Sequence, residues 1–195
     1  MTAIGIFVFP GAEELDFVGP WEVLRAWERL RPDDGQHVSL LAQEEGPVVC
    51  ALGLRVVPEL TWATAPPLDV LIYPGGQGTV GQLGDETILG WARAMAARGT
   101  LMASVCTGAL VFAAAGLLDG RPATTHWASL DQLAALGHDV RLRPDDRFVD
   151  DGNVVTSAGV SAGIDMALHL VARLATADTA REVRRYIQYD PAPPV

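Results

Sequence analysis

Residues Leu101 to Ala109 read Leu-Met-Ala-Ser-Val-Cys-Thr-Gly-Ala. A short apolar run ends at Cys106, and Thr107-Gly108 opens a helical stretch that Gly116 stops. This spacing predicts a strand, a sharp turn and a helix, with a thiol on the turn. It is the pattern of a nucleophile elbow, which presents a side chain above the edge of an α/β sheet. The unpaired N–H groups and positive dipole end of a helix N-terminus favour thiolate over thiol there. Cys106 is therefore either a nucleophile or a buried cysteine acting as a small hydrophobe.

On either side, strand-like runs alternate with helical ones. Ile4–Phe9 and Val70–Tyr73 are near-continuous apolar runs, as in strands covered on both faces. A loop through Asp16 precedes a helix that opens at Gly19-Pro20, where proline at the first turn does no harm. Trp21, Leu24 and Trp27 form its buried stripe. His37–Ala42 reads as a strand, and Val48–Ala51 with Arg55–Pro58 reads as a hairpin about Leu52-Gly53. Glu86–Arg98 is an amphipathic helix. Ala123–Thr125 is a short strand ending at His126, and Trp127–Leu136 is helical with Gly137 as its cap. Arg147–Ser157 is a hairpin turning at Asp151-Gly152. Helices follow from Gly159–Gly163 through Leu174 and over Ala177–Ile187. The Pro191-Ala192-Pro193-Pro194 tail can neither be helical nor pair in a central strand.

Residues 1–195 are expected to form a single domain: an α/β three-layer sandwich, a mainly parallel sheet with helices on both faces. Ligands of such sheets bind outside the carboxyl ends of the strands. Asp16, Gly75-Gly76, Cys106 and His126 each follow a predicted strand, so four chemically useful positions converge on one edge.

The composition narrows the function. Apolar residues make up 49% of the 195 and charged residues 19%, which excludes disorder. The net charge is −10 with no basic cluster, which argues against nucleic acid and anionic membrane surfaces. No signal peptide opens the chain, and no apolar run approaches the ~20 residues of a membrane span. A reducing cytoplasm is expected, with Cys50 and Cys106 free. No histidine or cysteine stands at ligand spacing, so no metal site is expected.

Asp16 lies among apolar residues, where desolvation raises a carboxyl pKa. Protonated, it could donate to the Cys106 sulfur and deliver a proton; alternatively it caps the helix at Pro20. The Gly76 N–H and the N–H after Cys106, on Thr107, are candidates for an anion-stabilising pair; the alternative for Pro74-Gly75-Gly76 is a plain tight turn. Gly159-Val160-Ser161-Ala162-Gly163 is either an anion site at a helix N-terminus or a close helix–sheet contact. His126 faces the site or satisfies its nitrogens structurally, the latter slightly preferred. Phe7, Trp127 or Val160 would supply an apolar wall. His37 and His138 read as surface, His169 as packed or partly exposed, and Cys50 as packing. A Cys–His–Asp triad is not apparent, because the only late histidine, His169, lies in an apolar helix.

The Asp16-x-x-Gly19-Pro20 loop, Pro74-Gly75-Gly76, Ser104-Val105-Cys106-Thr107-Gly108, Thr124-Thr125-His126-Trp127 and Ala162-Gly163-Ile164-Asp165 occur in the order of the ThiJ/PfpI superfamily, a class I glutamine-amidotransferase-like group. The chain resembles this superfamily over nearly its whole length, and within it the isonitrile hydratase (isocyanide hydratase) group. The resemblance implies a flavodoxin-like (Rossmann-like) fold, a homodimer and no metal or organic cofactor. It implies Cys106 as nucleophile, Asp16 as its acid/base partner and Thr107 as a contact at the elbow. Peptidase-like members carry histidine directly after the cysteine, where this chain has Thr107. AraC-type regulators carry a similar domain followed by a helix-turn-helix, for which the chain has no room. The implied chemistry is hydration of an isonitrile to an N-substituted formamide. The alternatives are glyoxalase-like carbonyl chemistry and a redox-sensing or ligand-binding domain without catalysis.

Overall fold

The computed structural model describes residues 2–190; the proline tail at 191–194 lies outside them. In chain order the elements are β1 (Thr2–Phe7), α1 (Glu14–Leu30), β2 (Gln36–Ala42), β3 (Val48–Val49), β4 (Arg55–Val56), β5 (Leu60–Thr61), β6 (Val70–Tyr73), α2 (Thr79–Gln82) and α3 (Glu86–Ala97). They continue with β7 (Leu101–Val105), α4 (Gly108–Ala114), β8 (Pro122–Ala123), α5 (Leu130–Leu136), β9 (Arg141–Leu142), β10 (Phe148–Asp150), β11 (Val154–Ser157), α6 (Ala162–Leu174) and α7 (Ala177–Tyr186).

Seven strands form the central sheet in the order β10-β11-β7-β6-β1-β2-β5. Every pairing is parallel except the β10–β11 hairpin, which turns through Asp151-Gly152 as expected. Helices α1, α6 and α7 pack together, and α3, α4 and α5 form a second group about α4. This is the expected flavodoxin-like α/β sandwich. The strands are apolar on both faces because both are covered: all four residues of β6 and all five of β7 are buried.

Aromatic residues fill one end of the core. Phe7 lies 5.2 Å from Tyr73 and 4.9 Å from Trp91, and Tyr73 meets Phe112 edge-on at 5.7 Å. The Tyr73 hydroxyl donates to Gln82 Oε1 at 2.7 Å, so its polar tip is satisfied in the interior. Phe7 is thus core and walls no site cavity.

Three expectations need correction. Helix α1 begins at Glu14, not at Pro20, and Pro20 lies inside it. Pro20 has no N–H to offer the Asp16 carbonyl one turn earlier, yet the helix runs through because Phe17, Pro20, Leu24 and Trp27 are all buried along one face. Strand β8 stands outside the main sheet, paired only with β9. Strand β5, which the sequence pattern did not reveal, closes one edge beside β2. The glycine-led segment before α6 resolves into a close contact at Gly163, where a Cβ would stand 3.1 Å from Val105 and 3.4 Å from Pro20.

Candidate active site

The elbow forms where β7 ends. Cys106 has φ 56°, a left-handed conformation costly for a residue with a Cβ. The surrounding chain holds it there. The Cys106 N–H donates to the Ser157 and Ala158 carbonyls, both at 3.2 Å, and its carbonyl accepts from the Thr125 hydroxyl at 2.7 Å. Gly108 follows because a Cβ there would collide with the Tyr73 carbonyl. Val160 also has a positive φ, 50°, and as a β-branched residue it is the stronger outlier. Its N–H and that of Thr107 favour the ionised form of the Cys106 sulfur.

Asp16 sits on the first turn of α1, fully buried, with its carboxyl beneath the elbow. It is not a cap: the N-cap position belongs to Glu13. Oδ2 accepts the Gly75 N–H at 2.9 Å, while Oδ1 is buried with no fully formed hydrogen bond. Cys106 is nonetheless close enough to act on the carboxyl's titration. An orphaned acceptor in the interior is costly.

Burial pushes the Asp16 carboxyl from its ordinary 3.8 up to about 7; the Gly75 N–H opposes this and the Glu13 charge adds to it. Burial, and then the Asp16 charge, push the Cys106 thiol up to about 12. Burial and the facing carboxylate thus oppose the helix N-terminus behind the sulfur, which favours the thiolate.

The two glycines do different work from that expected. The Gly75 N–H holds Asp16, and the Gly76 N–H donates to Thr107 Oγ1 at 2.9 Å, so neither is a free anion donor. A Cβ on Gly75 would stand 2.5 Å from the Thr107 nitrogen and 2.9 Å from Asp16 Oδ2. Gly76, at φ 118°, lies against the Glu13 nitrogen and the Gly11 carbonyl. The pair is a clamp joining Asp16 to Thr107. The Thr107 hydroxyl also accepts from Thr79 Oγ1 at 3.2 Å.

A cavity of about 340 Å³ opens onto Cys106, Thr107 and Gly76. Val80, Leu110 and Val160 give it apolar surface; Glu13, Gln77, Thr79, Ser129 and Gln132 give it polar surface. Val160 is therefore a wall residue as expected. His126 also lines it, but its Nδ1 accepts the Ala128 N–H at 3.3 Å, which is the structural role. Gly159 makes room for that ring, since a Cβ there would collide with His126 Cδ2. Trp127 is 78% exposed and lies outside the cavity lining. Glu13, Gln77, Ser129 and Gln132 carry no local signature. Among the described residues no cluster of side chains could hold a metal ion. His169 pairs with Asp150 at 2.7 Å and rests on Phe148, away from the elbow. Cys50 is buried and free.

The DJ-1/PfpI family model matches residues 2–173. The chain is 43% identical to an isonitrile hydratase of Pseudomonas putida over 98% of its own length and 80% of that protein. A crystal structure of a ThiJ/PfpI family protein from Pseudomonas syringae superposes with a TM-score of 0.89 at 36% identity, covering 100% of this chain and 77% of that one. A transcriptional regulator of Pseudomonas aeruginosa, CdhR, is 31% identical over 85% of the chain but 48% of its own length. Likeness in sequence and backbone thus extends over nearly every element that builds the elbow, and the chain belongs to the DJ-1/PfpI family.

Proposed function

We propose that the protein hydrates an isonitrile to an N-substituted formamide, with Cys106 as nucleophile and Asp16 as proton carrier. The observation that carries this is the buried carboxyl, raised to about 7, set against a thiol on a strained elbow. The 43% identity to an isonitrile hydratase supports the same reading.

The reaction needs protons relayed over a short path. Ionised Asp16 takes the thiol proton as Sγ attacks the terminal isonitrile carbon, and the Thr107 and Val160 N–H groups steady the charge on sulfur. Asp16 returns the proton to that carbon, giving a thioimidate, R–N=CH–S–Cys106. Water adds to the thioimidate carbon, giving one proton to Asp16, which passes it to the nitrogen to form R–NH–CH(OH)–S–Cys106. The C–S bond then breaks as the hydroxyl proton passes to the leaving sulfur, releasing R–NH–CHO and restoring the thiol. A carboxyl with a pKa near the working pH suits both directions of transfer. Half-apolar walls suit an uncharged –N≡C group. No resident cofactor enters this scheme, and we place the protein in the cytoplasm.

The test is turnover. Purified protein is incubated with alkyl and aryl isonitriles, and formamide is quantified against a Cys106→Ala control, with lactate from methylglyoxal measured in parallel. Formamide well above the control is expected. No turnover of any isonitrile above the control would remove the reading, and lactate formation alone would move it to carbonyl chemistry.

We also propose a homodimer. Leu15 and Val18 of α1 and Val49, Leu52, Leu54 and Val57 of the β3–β4 hairpin are exposed. Glu14 Oε1 joins the two segments by accepting the Leu52 and Leu54 N–H groups at 2.8 and 3.2 Å. Exposed apolar clusters of this kind mark association sites. Sedimentation at micromolar concentration is expected to give twice the 20.7 kDa chain mass; a monomer would contradict this.

A further inference from the structure

We infer that Glu13 makes the cavity selective for substrates carrying a positive charge, such as isonitriles with an ammonium group on the N-substituent. This inference rests on the proposed reaction for the word isonitrile, though not for the charge preference.

Glu13 is held in place by its backbone. Its N–H donates to the Gly75 carbonyl at 2.9 Å, and Gly76 packs against its nitrogen. It occupies the N-cap position of α1, with φ −70° and ψ 127°, but its side chain makes no capping hydrogen bond. The half-buried carboxylate instead lines the cavity that holds Cys106. Its field is felt at the reacting pair, since its charge acts on Asp16.

Among the described residues of this chain, the lining contains no lysine or arginine to offset that charge. Among the described residues, the other titratable groups there are Cys106 and His126, whose Nδ1 accepts a backbone N–H. Gln77, Ser129 and Gln132 supply dipoles that orient either way. A carboxylate fixed in a partly desolvated cavity attracts a cation and repels an anion more strongly than the same pair in water. Charge on the substituent, far from the –N≡C carbon, is therefore the property of the substrate that this wall reads.

Two readouts test this. The first is independent of the reaction: the rate at which Cys106 is modified by 2-aminoethyl methanethiosulfonate against its 2-sulfonatoethyl analogue, in a Cys50→Ala background. The cation:anion rate ratio is expected to be at least about tenfold higher than in the Glu13→Gln variant. It should fall further in Glu13→Lys and shrink as salt is raised. The second is the ratio of kcat/KM for isosteric isonitriles bearing an ammonium or a carboxylate, which should follow the same order. Unchanged ratios in Glu13→Gln would overturn the inference even if isonitriles are hydrated. If the thiol ratios behave as expected and no isonitrile is turned over, the proposed reaction falls and the preference for a cationic substrate stands. Should either variant fail to fold, a wild-type thiol ratio no higher than that of free glutathione would overturn it alone.

Discussion

Replacing Asp16 by asparagine is expected to lower formamide formation at least ~100-fold and, at the same time, to make the protein more stable at pH 8. The first effect follows from losing the group that takes and returns the proton, a loss worth ~10²–10⁴ in rate. The second follows from where the carboxyl sits. Its pKa is raised by burial from 3.8 to about 7 in the folded chain. Between those values the folded protein binds a proton that the unfolded chain has released, so stability falls as pH rises through this window. Above about pH 7 the full cost, about 4 kcal/mol, is present. Asparagine cannot ionise and escapes it, though its amide leaves imperfect hydrogen bonds worth roughly 1–3 kcal/mol. Chemical denaturation of both proteins at pH 4 and pH 8 measures the difference. The variant should gain on the wild type by several kcal/mol between the two values. A pH-independent difference would show that Asp16 is not held near neutrality. The rate carries the same signature: kcat/KM should rise with pH through about 7, where Asp16 ionises and can accept the thiol proton. That limb should vanish in the variant.

Cys106→Ser is expected to abolish turnover, by at least ~10⁴-fold, because a hydroxyl is too weak an acid to yield its proton to Asp16 and a poor nucleophile when it keeps it. The elbow gives a second, purely structural readout. At φ 56°, Cys106 stores strain that glycine would relieve. Cys106→Gly should therefore be more stable than Cys106→Ala by about 1 kcal/mol, reversing the usual order of these residues. Thermal melts of the two variants decide it. Alanine as the more stable would mean that the turn relaxes once the thiol is gone, and that the strain is not imposed by the Ser157, Ala158 and Thr125 hydrogen bonds.

The elbow was legible in the sequence because its signal is local: an apolar run, a cysteine, then Thr107-Gly108. The parallel sheet was legible for the same reason, since strands covered on both faces carry their burial in their composition. Pro20 reads locally as a helix-opening residue, which hides the true start of α1 at Glu14. The apolar spacing at Phe17, Pro20, Leu24 and Trp27 already carried the helix back toward Glu14, and following it would have placed Asp16 on a turn of helix rather than in a loop. The glycines at 75 and 76 were found by type, but which acceptor each N–H meets depends on how α1 and α4 dock, which no local pattern encodes. Trp127 reads as a candidate apolar wall, but the short 3-10 turn at Trp127–Ser129 leaves it exposed and outside the cavity lining. Glu13 carries no local signature, because only the start of α1 at Glu14 places it at the cavity.

Rapid-quench mass spectrometry of the wild-type protein in excess isonitrile tests the central claim most directly. The account predicts a transient gain of one isonitrile mass, mapped to the peptide containing Cys106 and decaying as formamide appears. Both adduct and formamide should be absent in Cys106→Ala. Formamide produced at an undiminished rate by Cys106→Ala, with no adduct on the wild-type thiol, would contradict it.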